Sequence, residues 1–214
     1  MKVLIVTNGE IYSLSYLREI APQYNYIICV DGAARYLHEI YCVPDLMVGD
    51  MDSVNDKDLD WIRMQNISVK KYDVSKDYTD TEIAIDAAIN LKAERITVLG
   101  GIGNRIDHSV SNIFLLKKIA DSGILGEIID EHFEIQYLYK NSELHWQIGE
   151  TVSFIPLNEG PGIISLEGFE YPLVDKPVSQ GTSLCVSNVV KKSIQKVKIK
   201  DATLLAIRNK QISV

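Results

Sequence analysis

Asp50 and Asp52 stand two residues apart in Gly49-Asp50-Met51-Asp52-Ser53, directly after the apolar run Leu46-Met47-Val48. Side chains i and i+2 of an extended segment point to the same side, so both carboxylates can reach one cation. Asp77 and Asp80 follow in Lys76-Asp77-Tyr78-Thr79-Asp80-Thr81-Glu82, and Arg105 and Asp107 in the glycine loop Gly100 to His108. Carboxylates brought together without a partner repel, and a divalent cation removes that repulsion. Magnesium is usually held by one or two carboxylates together with substrate phosphates and water. The set Asp50, Asp52, Asp80, with Asp77 beside it, therefore points to a metal–phosphate site. Single aspartates in such loops also serve as turns or caps, and Thr79 with Glu82 has capping-box spacing.

The glycine loop narrows the chemistry further. Gly101-Ile102-Gly103 begins like a dinucleotide fingerprint, but Ile106 stands where its last glycine belongs, and the loop follows a late strand. No GxxxxGK[ST] phosphate loop occurs. What is left is a turn before a helix N-terminus carrying Arg105, where backbone amides and a guanidinium suit a phosphate. The alternative is a close-packed turn in which Arg105 pairs with Asp107. Asp31, at a strand end before Gly32, is either a cap or a site residue, and Lys76 either an exposed lysine or a phosphate contact. His108 reads as a structural donor more readily than as a base. His38, His132 and His145 have no partner at ligand spacing. Gly181-Thr182-Ser183-Leu184-Cys185-Val186-Ser187-Asn188 ends a strand with two small polar residues, as a hairpin also would.

These loops need strands and helices to hold them. Apolar runs at 2–7, 26–30, 46–48, 67–72 and 96–99 alternate with helical spacing after residue 14, to about Ile40, at 55–65, at 79–92 and from about Ser109 to Asp121, where Gly123 follows as a C′ glycine. Such alternation predicts a parallel sheet with helices on both faces, whose strand ends gather the loops. After Gly123 come short strand-like runs without helices: 128–129, 133–139, 144–148, 151–157, 162–166, 181–186, 193–199 and 203–207. They predict a smaller all-β sandwich or barrel. The expected fold is thus an α/β domain over 1–140 and a β domain over 141–214.

Composition sets outer limits. The chain has 214 residues, 46% of them hydrophobic, and a formal net charge of −7. That is ample for a core, and it argues against nucleic-acid or anionic-membrane binding, which need clustered lysine and arginine. Cys29, Cys42 and Cys185 are odd in number and lie in apolar stretches, as buried reduced thiols do. No run reaches the ~18 apolar residues of a membrane span. A soluble cytoplasmic protein is expected.

The blocks GDMDS at 49–53, KDYTDTEIAI at 76–85, GGIGNRIDHSVSNI at 100–113 and GTSLCVSN at 181–188 together resemble those of the thiamine pyrophosphokinase family, in order and over nearly the whole chain. The resemblance implies a homodimer that binds thiamine across its subunit interface and transfers pyrophosphate from ATP with Mg2+. It makes Asp50, Asp52 and Asp80 the metal ligands, Asp77 a supporting residue, Arg105 the contact to the transferred phosphates and Asp107 its neighbour. It puts Ser187 and Asn188 at the lip of the thiamine pocket, and Asp31, Lys76 and Asn112 are expected beside Arg105 at the nucleotide. Val189 stands where the late motif commonly continues with an acid. The alternatives are a related enzyme acting on another hydroxymethyl heterocycle such as a pterin, and a non-catalytic sensor of thiamine diphosphate or a nucleotide.

Overall fold

The structure, a computed structural model, describes residues 1–71 and 78–211. Its residues divide into two compact units, Met1–Glu131 and His132–Val214. The first unit runs β1 (Lys2–Val6), α1 (Leu14–Ile20), β2 (Tyr26–Val30), α2 (Ala34–Glu39), β3 (Leu46–Gly49), α3 (Asp56–Met64), β4 (Ser68–Lys71), α4 (Asp80–Asn90), β5 (Arg95–Leu99), α5 (Ile106–Asp121) and β6 (Leu125–Ile129). All its strand pairs are parallel, in the order β6-β5-β1-β2-β3-β4. β1 is thus the turning point: β2 to β4 extend the sheet one way, and β5 and β6 the other.

Because crossovers between parallel strands are right-handed, that reversal sends helices to opposite faces. Leu4, Val6, Cys29 and Met47 pack with Leu17, Leu37 and Trp61 from α1 to α3. Alternate residues such as Val3, Ile5, Ile28 and Val48 are also buried, and α4 covers β1, β2 and β3 and packs on α5. Burial on both faces explains why these strands read as unbroken apolar runs. Each fully buried side chain of this size contributes about 1.5–3 kcal/mol.

Helix starts follow the expected chemistry. Ser13, Asn55 and Thr79 each accept the backbone N–H three residues on, at 3.1, 3.0 and 3.2 Å. The helix expected from Ser109 begins instead at Ile106, since the Ser109 N–H already donates to Arg105 O at 3.0 Å. Gly123 ends it at φ +75, its N–H donating to Ala120 O at 2.9 Å. Lys118 of α5 reaches Glu82 and Asp86 of α4 at 3.0 and 2.6 Å, fastening the two helices.

The second unit holds β7 (Phe133–Leu138), β8 (Ser142–Leu144), β9 (Thr151–Pro156), β10 (Gly162–Glu167), β11 (Leu173–Val178), β12 (Asn188–Val189), β13 (Gln195–Lys200) and β14 (Leu204–Asn209). Strands β12-β9-β14-β7 form one antiparallel set and β11-β10-β13-β8 another, around Phe154, Trp146, Phe169, Leu166 and Val197. The units divide before residue 140 because β7 pairs with β14 along its whole length. One sequence expectation changes here, and one strand is new. Residues 181–186 are not a strand: the N–H groups of Thr182, Leu184 and Val186 turn locally to Ser179 O, Thr182 Oγ1 and Ser183 O. β11, a strand not among the expected runs, lies at a sheet edge, where a proline such as Pro177 is tolerated.

Candidate active site

Ligands of open α/β sheets bind outside the carboxyl ends of the strands, where the strand order reverses. Here that point lies between β1 and β5, and a cavity of about 470 Å³ opens there. Thr7 to Glu10 line it after β1, Asp31 and Arg35 after β2, and Thr79 to Thr81 at the start of α4. The glycine loop and the first turns of α5 complete the wall, through Arg105, His108, Ser109 and Asn112.

The loops approach closely because glycines let them. A Cβ on Gly9 would lie 2.0 Å from Gly100 O, and Gly100 itself sits at φ +73. Side chains then pin the backbone. Tyr36 Oη donates to Gly9 O at 2.9 Å, Asn112 Nδ2 to Gly101 O at 2.8 Å, and Gly103 N–H to Ser109 Oγ at 3.0 Å. Glu10 accepts from both Tyr12 and Asn104, tying the β1 loop to the glycine loop. That bond and the carboxylate charge push the Tyr12 phenol up.

The acids gather on one side. Asp31, at φ +45, accepts the Met51 N–H at 3.3 Å, while Ser53 Oγ accepts the Gly32 N–H at 3.0 Å, so the β2 and β3 loops are joined. Burial, then the charge of Asp80, pushes the Asp31 carboxyl up to about 7; a shared hydrogen bond with Asp80 and the charge of Asp50 add to this, and the Met51 N–H opposes it. Exposed Asp52 is also raised, first by its hydrogen bond with Asp50 and that residue's charge, with a smaller effect from Asp80. Asp50 Oδ1 accepts the Asp52 N–H at 3.0 Å. The carboxylates thus form two pairs, Asp31 with Asp80 and Asp50 with Asp52, within each other's fields. Among the described residues, no three His, Cys, Asp or Glu side chains stand close enough to hold a metal by themselves. Asp31 and Asp80 line the cavity.

Arg105 faces the same cavity and pairs with Asp107 through Nη2–Oδ2 at 2.6 Å and Nε–Oδ1 at 3.3 Å. Each partner stabilises the other's charge, so the guanidinium is raised and the carboxyl lowered. Lys76 and Asp77 lie outside the described residues. Asn112, expected at the nucleotide, lines the cavity and also braces the glycine loop. Sequence reasoning passed over Asn8, Gly9, Glu10 and Arg35. Asn8-Gly9 follows β1 as Asp31-Gly32 follows β2, and that shared strand-end glycine was the available signal.

In the second unit Ser187 is exposed at φ +61, and its N–H donates to Ser153 Oγ at 3.1 Å. Asn188 is buried and spent on structure. Its Oδ1 accepts the Tyr171 and Val189 N–H groups at 3.0 and 2.9 Å, and its Nδ2 donates to Tyr171 O at 2.8 Å.

Two family models match the chain: the thiamin pyrophosphokinase catalytic domain over residues 17–125, and the thiamin pyrophosphokinase vitamin B1 binding domain over residues 138–204. The chain is 30% identical over 187 residues to the thiamine pyrophosphokinase of Bacillus subtilis (strain 168), covering 86% of this chain and 87% of that one. It is 26% identical over 222 residues to thiamine pyrophosphokinase 2 of Arabidopsis thaliana, covering 88% and 82%. Among solved structures, thiamine pyrophosphokinase from Bacillus subtilis superposes with a TM-score of 0.88 at 26% identity, over 99% of this chain and 100% of that one. Thiamin pyrophosphokinase from Geobacillus thermodenitrificans gives 0.86 at 29% identity, over 100% and 99%.

Proposed function

The chain belongs to the thiamine pyrophosphokinase family and is an ATP-dependent pyrophosphotransferase, and we propose that it works at the crevice between β1 and β5, with Asp50, Asp52 and Asp80 as its magnesium ligands. The thiamine hydroxyl oxygen attacks the β-phosphorus of ATP. The bond from that phosphorus to the bridging α,β-oxygen breaks, AMP leaves, and the hydroxyl proton passes to a loop carboxylate. Thiamine diphosphate is the other product. What carries this reading is the meeting, in one cavity, of the Asp31–Asp80 pair, the glycine loop and Arg105, with Asp50 and Asp52 beside it.

The donor set fits magnesium as part of its shell, since no three of the described acids stand close enough to hold the ion without phosphates. Paired carboxylates that raise one another's proton affinity gain from a hard cation, and magnesium needs only one or two of them when phosphates supply the rest. Bound there, it would neutralise charge on the phosphate oxygens. The protein's own part is positioning and further neutralisation, which dominate phosphoryl-type transfers. Arg105 meets the moving phosphates, and Asp107 holds its guanidinium in plane. Asp31, Lys76 and Asn112 hold the nucleotide, Asn112 through the Gly101 carbonyl it braces, and Asp77 supports the acidic loop. Ser187 offers its hydroxyl to thiamine, while Asn188 shapes the pocket's lip through Tyr171.

We also read the protein as a cytoplasmic homodimer. The free cysteines suit a reducing compartment, and α5 exposes Ile106, Val110 and Phe114 in one stripe. Light scattering at twice the chain mass would support the dimer. The decisive experiment for the reaction is one incubation with thiamine, ATP and magnesium, read for nucleotide product. AMP with thiamine diphosphate is expected. ADP, or turnover of a pterin alcohol in place of thiamine, would overturn the assignment.

A further inference from the structure

Two arginines line the cavity, and they are not in the same state. The Arg105 guanidinium is already half neutralised by Asp107, which takes two of its donors. Among the described residues, Arg35 pairs with no carboxylate. Its guanidinium lies 4.4 Å above the Tyr36 ring, and Nη2 donates to the neutral Tyr36 hydroxyl at 2.8 Å. That hydroxyl in turn holds Gly9 O. The arginine is thus stacked and oriented by a tyrosine that is itself tied to the β1 loop, while most of its donors meet no partner among the described residues. An arginine preorganised in this way is suited to the oxygens of a phosphate chain.

Its surroundings give that charge a purpose. Asp31, Asp80 and Glu10 line the same cavity, so a polyanion entering it meets like charge unless cations offset it. We propose that Arg35 binds the triphosphate of the nucleotide from the β2 side of the crevice, as a second cationic contact beside Arg105. The proposal rests on reading this crevice as the ATP site. Arg35 offers its full charge at the cost of a bond to a neutral hydroxyl, whereas Arg105 must first loosen an ion pair. Nothing in the sequence singled it out, because its neighbours Ala33, Ala34 and Tyr36 carry no phosphate-binding pattern.

Equilibrium titration of the full chain tests this, with magnesium–ATP, adenosine and inorganic tripolyphosphate as probes. Arg35→Ala should weaken ATP and tripolyphosphate about tenfold or more and leave adenosine within about twofold. Arg35→Lys should fall between, since it keeps the charge and loses the fork. The side chain is exposed, so the melting temperature should hold. If the alanine variant does not fold, the lysine variant carries the comparison. Unchanged ATP affinity, or an equal loss for adenosine, would overturn the proposal. Should the parent protein itself make no AMP from thiamine and ATP, the reading of the crevice fails; if it does, and Arg35→Ala binds ATP as the parent does, only the Arg35 assignment fails.

Discussion

Asp31 Oδ1 lies 1.7 Å from the point that a Cβ on residue 49 would occupy. The carboxylate at the end of β2 therefore fills the space that a side chain at the end of β3 would need. Gly49 also sits at φ +138, a conformation that L side chains rarely adopt. The two acidic loops owe their closeness to that missing side chain. The same contact brings Met51 N–H onto Asp31 and sets Asp50 within its field.

Gly49→Ala should therefore cost both stability and turnover. Backbone strain alone accounts for about 1–3 kcal/mol, and the new methyl must displace Asp31. The matched control is Gly123→Ala, at φ +75 with no atom within 4 Å of its Cβ. That change should cost about 1 kcal/mol and leave turnover intact. Thermal melts and AMP formation on both variants decide the matter, and equal activity losses would remove the link to Asp31.

The Asp31 carboxyl makes stability depend on pH in a chelator-treated sample. Its unfolded value is ~3.9 and burial with Asp80 pushes the folded one up to about 7, so the native state binds the extra proton. Stability from this group is fully present below pH 4 and is lost as pH rises through 7. Urea midpoints at pH 5 and pH 8 should differ accordingly, other groups adding their own slopes. In Asp31→Asn the decline over this window should shrink. An unchanged slope would mean that Asp31 ionises as an ordinary surface aspartate.

Asp52→Ala removes a proposed metal ligand from an exposed position and takes away no core volume. Turnover should fall about 10²-fold or more, as loss of several kcal/mol of charge stabilisation implies. The melting temperature in chelator should stay near the parent's, or rise slightly as Asp50 loses a like-charged neighbour. Near-parental turnover with saturating magnesium and ATP would exclude Asp52 from the site.

The parallel sheet was legible because strands buried on both faces leave long apolar runs, and helices between them leave 3.6-residue spacing. That Asp80 and Arg105 line the crevice was legible because charge and glycine cluster at strand ends. Arg35 was not, since its value comes from the Tyr36–Gly9 contact, which only folding creates. Nor could spacing tell that Asn188 is buried and spent on the Tyr171 backbone. β11 was hidden by Pro172 and Pro177, which mark turns in most contexts and an edge strand here.

Arg208 gives the second unit its own test. From β14 it pairs with Glu134 of β7 and reaches Glu150 at 3.3 Å, and those two side chains are only 10% and 4% exposed. The Trp146 ring lies 5.9 Å from its guanidinium. One cation thus compensates two nearly buried anions at the point where three segments of the unit meet. Arg208→Met keeps the stem's packing but leaves both carboxylates without that compensation, a change that typically costs 3–5 kcal/mol, or about that here. Adding Glu134→Gln should restore part of the loss, because only one buried charge then lacks its partner. Urea denaturation of the single and double variants, followed by tryptophan fluorescence, measures the coupling. Strict additivity of the two substitutions would show that the arginine acts by packing alone.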